Sequence, residues 1–237
     1  MNKDDAELAR FNALARDFWD PTGPMKPLHM LNPLRVDWIE QQQGSLVDAQ
    51  VLDIGCGGGL AAEAMAARGA HVTGLDGAEK LLKAARIHAA DQGIDVDYQL
   101  GMAEDWANQH AGEYELVTCL EMLEHVPDPA SVIESIAALL APGGTAVLST
   151  LNRTLRGFAL GIVAAEYILK WVEPGTHTYR KFIKPSELAR MCRPHGLQVV
   201  SLTGVRYNPL RAMQPQPFEL DRQDLAVNYF MSVRKPL

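Results

Sequence analysis

Cysteine is scarce in this chain, and long apolar runs are missing. Three cysteines, Cys56, Cys119 and Cys192, occur among 237 residues. That odd number, at no metal-ligand spacing, argues against a disulfide framework and for a reducing compartment. The most apolar stretch, GFALGIVAAEYILKWV (157–172), carries Glu166 and Lys170. As a helix it would reach ~24 Å, short of the ~30 Å hydrocarbon core, so it is not expected to cross a membrane. The opening MNKDDAELAR is polar and lacks the pattern of a secretory signal, so a cytosolic (cytoplasmic) location is expected. Positive charge is also short: 22 Lys and Arg against 29 Asp and Glu leave a net charge of −7. A nucleic-acid partner needs clustered positive charge, and none is expected.

A hydrophobic content of 47% is enough for a sizeable core. AELARFNALARDFWD sets Leu8, Phe11, Leu14 and Phe18 at helical spacing behind Asp4 and Asp5, which predicts a capped amphipathic helix. PTGPMKPLHMLNPLR, with Pro33 inside it, reads as an irregular segment. From about residue 50, strands such as AQVLDIG, AHVTGLD, YELVTCLE and TAVLSTLN alternate with helices such as AEKLLKAARIHAADQG. KPSELARMCRPHG, LQVVSLTGV and AVNYFMSVRK add a helix, a strand and a closing strand. The pattern predicts a doubly wound α/β sheet covered on both faces. A helical cap over 1–48 precedes a main domain over 49–237, with an insert near 153–184.

The strongest local signal is VLDIGCGGGL (51–60). A strand delivers Asp53, then Gly55, Gly57, Gly58 and Gly59 turn into a helix. Glycines there permit positive φ and let a ligand approach the backbone. Asp76 ends the next strand, where a carboxylate suits a ribose diol. A dinucleotide site wants Gly or Ala three places after the second glycine, where this chain has Leu60. S-adenosylmethionine has no phosphate to cradle, and Asp53 suits its cationic amino acid end, so the methyl donor is the favoured ligand. Glycines serving packing alone would require the loop, Asp53 and Asp76 to coincide by chance.

These residues resemble motif I and its acidic partner in class I S-adenosylmethionine-dependent methyltransferases. That resemblance implies a seven-stranded Rossmann-like sheet with its last strand antiparallel, and places Met102, Ala103 and Glu104 near the adenine. KPLHMLNPLR, TCLEMLEHVPDP, STLNR, AAEYILKWVEPGTH, KFIKPSEL and GVRYNP extend the likeness over nearly the whole chain. Together they resemble the ubiquinone-biosynthesis O-methyltransferases. By that resemblance Arg35, Gly55, Asp76 and Leu120 contact the donor, with Arg35 forking onto its carboxylate. The implied acceptor is a polyprenylated hydroxyphenol or demethylubiquinol, with another small phenol as the alternative. Association with other enzymes of the ubiquinone pathway is implied as well. AMQPQPFELDRQD matches the family pattern least.

TCLEMLEHVPDP also carries Glu121, Glu124 and His125, spaced so that one helical turn would put them on one face. Methylating a phenol of pKa ~10 needs its oxygen nearly deprotonated. Three roles stay open. The carboxylates and His125 could hold Mg²⁺, as the resemblance implies, although Mg²⁺ prefers oxygen ligands. His125 could be a general base, with Glu121 beside it. Or the three could only shape the pocket. His177 is a weaker second candidate base.

Residues 151–211 hold ten Lys and Arg against three Asp and Glu, while the remainder holds 12 against 26. Trp171 and Tyr167 beside apolar neighbours, then Arg180, Lys181 and Lys184, suit an interfacial element on anionic lipid. Peripheral association with the inner membrane surface is therefore expected. An NAD-dependent oxidoreductase and a non-enzymatic lipid-surface module are the rival readings.

Overall fold

The computed structural model describes residues 2–168, 175, 178–211, 214 and 216–237, without the side chains of 164–168. Lys170, Trp171 and His177, and the side chains of Glu166 and Tyr167, lie outside the described residues.

Strands β1 (Gln50–Ile54), β2 (His71–Asp76), β3 (Asp97–Leu100), β4 (Tyr114–Leu120) and β5 (Leu140–Leu151) are parallel neighbours. The sheet order is β3-β2-β1-β4-β5-β8-β6-β7, with β6 over Gln198–Tyr207, β7 over Phe218–Asp221 and β8 over Asn228–Arg234. β8 lies antiparallel between β5 and β6, as expected of the closing strand. The expected seven strands are eight, because β7 folds back antiparallel on β6. Its source is the stretch that matched the family pattern least. Arg206 faces Glu219 in that register and the two form an ion pair, a cross-strand pairing of opposite charges. Charge on so short an edge strand also discourages further pairing.

Successive strand residues supply two core layers. Val51, Leu116 and Val147 pack with α2 (Lys26–Gln43), α3 (Leu60–Ala66) and α4 (Glu79–Gln92). Leu52, Val117 and Leu148 pack with α5 (Ala103–Ala107) and α6 (Pro129–Leu139). That period of two on a sheet buried on both sides explains the near-continuous apolar strands.

The N-terminal helix α1 (Asp5–Leu14) starts where predicted, with Asp4 accepting from the backbone N–H of Ala6 and Glu7. Of the segment read as irregular, residues 21–25 form turns, but from Lys26 onward it is α2, with Pro33 inside the helix. Pro27 sits in its first turn, where a missing N–H costs nothing. Leu31, Val36, Trp38 and Ile39 are buried on its inner face, and that burial outweighs the proline's local penalty. A short turn α7 (Leu155–Gly157) runs on as a π-helix over Phe158–Ile168. Helix α8 (Pro185–Cys192) then leads into β6. Among the described residues no helix is long and apolar enough to cross a membrane.

Candidate active site

The strand order reverses between β1 and β4, and in open α/β sheets that switch point opens a crevice at the carboxyl ends of the strands. Here the crevice holds the glycine turn from β1 and the loop that follows β4. Gly55, Gly57 and Gly59 have φ of 71°, 57° and 93°, which side-chain-bearing residues adopt only with strain. The turn is fastened to β2: Asp76 Oδ2 accepts from Gly57 N at 2.8 Å and its Oδ1 from Ala78 N at 2.7 Å. Burial raises the Asp76 carboxyl above its ordinary value, while those backbone N–H groups pull the other way.

Below the turn, Asp53 is buried and accepts from Thr118 Oγ1 at 2.6 Å. Burial pushes its carboxyl up to about 6. Arg35 reaches the same place from α2 and is also buried. Its Nε donates to Asn32 Oδ1 at 2.8 Å, and Asn32 Nδ2 donates to Leu60 O at 2.8 Å. The guanidinium is thereby locked to the helix that follows the glycine turn. Burial lowers it from its ordinary value, against the opposing charges of Asp53 and Glu121. Met102 caps the N-terminus of α5, and together with Ala103, Glu104 and Leu120 it lines the same cleft.

The loop after β4 does not put its three polar residues on one helical face. Glu121 takes the left-handed conformation, φ 53°, and only Leu123–His125 form a 3₁₀ turn. The side chains consequently diverge. Glu121 Oε1 accepts from Ser149 Oγ at 2.7 Å, and Asn228 Nδ2 donates to both of its oxygens at 3.0 Å. Glu124 Oε2 accepts from Thr150 Oγ1 at 2.8 Å, and burial with the nearby Glu121 charge raises Glu124 to about 7. His125 Nδ1 lies 3.5 Å from Glu7 Oε2 on α1. Burial disfavours the charged imidazolium, but Glu7, Glu124 and Glu121 outweigh it and raise the His125 pKa.

The N-terminal segment roofs the cleft with Leu8, Phe11, Leu14 and Phe18. Asn2 fastens its start, donating to Glu104 Oε1 at 2.8 Å and to Asp128 O at 2.7 Å.

A family profile described as a methyltransferase domain matches residues 31–202. The ubiquinone biosynthesis O-methyltransferase of Aromatoleum aromaticum is 52% identical over 99% of this chain and 98% of its own length. That of Thiobacillus denitrificans is also 52% identical, with the same coverage. This chain belongs to the ubiquinone biosynthesis O-methyltransferases. The magnesium protoporphyrin IX methyltransferase of Synechocystis PCC 6803, solved with bound S-adenosylhomocysteine, shares the fold. Its TM-score is 0.68 at 19% identity, covering 96% of this chain and 94% of that one.

In this S-adenosylmethionine-dependent O-methyltransferase, the donor-side residues expected from sequence come together around one cleft. Arg35, Asp53, Gly55, Gly57, Asp76, Met102, Ala103 and Leu120 all line it. The paired acids, the guanidinium and the bare glycine backbone fit a ligand with a ribose diol and a zwitterionic end. The Mg²⁺ site implied by resemblance does not fit the side chains as they stand. Among the described residues, no three His, Cys, Asp or Glu groups converge on a point a metal could take. The left-handed Glu121 aims its carboxylate at Ser149 and Asn228, whereas His125 turns to Glu7. Sequence reasoning missed Glu7, Thr118 and Asn228. Only Glu7 left a signal, as a carboxylate beside Leu8 on the otherwise apolar face of α1.

Proposed function

We propose that this O-methyltransferase methylates a phenolic oxygen of a polyprenylated hydroxyphenol or demethylubiquinol. One observation carries the reading: a single cleft is lined by Asp53, Asp76 and Arg35, by Glu121 and His125, and by apolar side chains such as Leu8, Phe11 and Leu14. Asp76 accepts from the ribose hydroxyls, while Asp53 and Arg35 meet the ammonium and carboxylate of the donor's amino acid end. Gly55 and Gly57 allow close backbone approach, and Met102, Ala103 and Leu120 flank the adenine. The donor supplies an electrophilic methyl on a sulfonium. His125 takes the phenolic proton as the new C–O bond forms and the S–C bond breaks in line. Glu121, held by Ser149 and Asn228, keeps a fixed negative charge beside the transferring centre and favours the protonated imidazole. Residues 1–48 act as a cap on the 49–237 domain, whose insert spans about 153–184.

Methyl transfer from S-adenosylmethionine to a short-chain prenyl catechol tests this directly. Product is expected with the native chain and should fall on the order of 100-fold or more in His125→Ala. No product despite confirmed donor binding would reject the substrate class.

The acceptor's prenyl chain dissolves in the bilayer, and the chain's surface supports peripheral contact with the cytoplasmic face of the inner membrane. Leu155, Phe158 and Leu160 are 83%, 43% and 49% exposed, and Arg153, Arg156, Arg180, Lys181 and Lys184 occupy the same stretch of chain. Apolar residues flanked by cations suit an anionic lipid surface. Flotation with phosphatidylglycerol vesicles should fall at high salt and in the Leu155→Asp/Leu160→Asp double variant. Flotation unchanged in both would reject membrane contact here. Other ubiquinone-pathway enzymes are the protein partners this reading favours.

A further inference from the structure

Glu7 stands out on α1. The other residues that this helix lays on the cleft, Leu8, Phe11 and Leu14, are apolar, whereas Glu7 brings a carboxylate that is only 15% exposed. Three basic groups meet it: His125 Nδ1 at 3.5 Å and Arg10 at 3.4 Å, both at Oε2, and Lys181 Nζ at 3.5 Å from Oε1. Phe11, one helical turn on, sets the edge of its ring against the His125 imidazole, with centroids 5.1 Å apart at 85°. Two residues on one face of α1 therefore hold the same imidazole, one through charge at Nδ1 and one through ring packing.

We infer that Glu7 is a positioning residue for His125, fixing Nδ1 so that Nε2 is the nitrogen offered to the acceptor oxygen. The inference rests on the reading of His125 as the acceptor-side base. A carboxylate at one ring nitrogen holds the imidazole's orientation and tautomer and stabilises the imidazolium formed when the other nitrogen takes a proton. Glu7 remains ionised to do this: the contact with His125 foremost, then Arg10 and Lys181, lower it to about 2 against the effect of burial. At 3.5 Å the contact is longer than a tight hydrogen bond, as catalytic contacts often are before substrate closes the site. Because Lys181 lies within the insert, Glu7 also ties α1 to that segment, so the base is oriented only when the N-terminal roof is in place.

The test is a double-variant cycle on the full chain, reading kcat and KM for the prenyl catechol and S-adenosylhomocysteine affinity by calorimetry. Glu7→Ala should lower kcat on the order of 10- to 100-fold, with KM and S-adenosylhomocysteine affinity within about threefold. Glu7→Asp should recover part of the loss. Combined with His125→Ala, Glu7→Ala should cost less than about twofold more, because residues acting as one unit are not additive. Asp5→Asn, exposed on the same helix, serves as control. Wild-type kcat in both Glu7→Ala and Glu7→Gln would overturn the inference, as would losses that multiply in the double variant. Wild-type kcat in His125→Ala would instead overturn the base reading itself.

Discussion

Phe18 occupies the space that a side chain at position 58 would need. A Cβ on Gly58 would stand 2.2 Å from Phe18 Cδ1, far inside van der Waals contact. Phe18 is buried with Leu60, Ala78 and Leu81, so it cannot swing away without opening that cluster. Gly58 is thus required by the roof that the N-terminal segment lays over the turn.

Gly58→Ala should accordingly destabilise the chain by about 1–3 kcal/mol through overpacking, and weaken S-adenosylhomocysteine binding. In a Phe18→Ala background most of that penalty should disappear. Thermal unfolding of the four proteins in the cycle reads both effects, and an undiminished G58A penalty would locate the clash elsewhere.

Asp53 gives the donor site a pH dependence. Its folded pKa of about 6 lies above its ordinary 3.8 because of burial. Between those values the folded chain keeps a proton that the unfolded chain releases. Stability of the ligand-free chain therefore falls as pH rises across that window and levels off above it. With Asp53 meeting the donor's ammonium as proposed, donor binding should have the opposite slope, because the ammonium favours the ionised carboxylate. Affinity for S-adenosylhomocysteine should rise from pH 5 to pH 7 by no more than tenfold per pH unit, then flatten. Asp53→Asn should bind more weakly at pH 7 and show little slope, and a slope equal to the native one would separate Asp53 from the ammonium.

The sequence made the donor side legible because its determinants are local. A short strand, a glycine turn and an acid at the end of the next strand lie within about 25 residues, and alternation fixed both faces of the sheet. The acceptor side depends on contacts between distant segments. Glu121 meets Asn228 across 107 positions, and Glu7 meets His125 from the N-terminal helix, about 120 positions away in the chain. Helical spacing suggested one shared face for Glu121, Glu124 and His125. The left-handed backbone at Glu121 broke that face, and no residue-type rule predicts such a conformation for glutamate. Edge strand β7 was missed for a related reason: four residues of mixed polarity become a strand only by pairing with β6.

Glu121 holds its backbone conformation because both ends of the residue are anchored. Its N–H bonds to Ser149, and its carboxylate is taken by Ser149 Oγ and Asn228 Nδ2. Asn228→Ala removes the donor shared by both oxygens and leaves a half-buried carboxylate underpaired, a loss of about 1–3 kcal/mol. For a chain of this length that corresponds to a fall in Tm of roughly 2–4 °C per kcal/mol. Methyl transfer should fall more than S-adenosylhomocysteine affinity does, since Asn228 touches Glu121 and not the glycine turn. Scanning calorimetry with initial rates checks the pair, and native rates would show that the Glu121 position does not matter to transfer.

Pro33 is the other exception to local rules, and it gives the sharpest stability prediction. It sits in α2 on the exposed side, so its ring contributes little packing, while its missing N–H leaves the carbonyl of His29 without a helical donor. Proline inside a helix costs about 3 kcal/mol, of which roughly 0.4–1 kcal/mol is recovered by restricting the unfolded chain. Pro33→Ala should therefore raise stability by about 2 kcal/mol. Arg35 lies two residues further on, and its side chain is fixed through Asn32 to the carbonyl of Leu60. That anchor precedes and follows the substituted position, so the guanidinium should stay in place and S-adenosylhomocysteine affinity should hold. A variant that gains stability but loses affinity would mean that the proline sets the local path of α2 and thereby aims Arg35. A variant that loses stability would mean that the His29 carbonyl depends on the geometry the proline imposes.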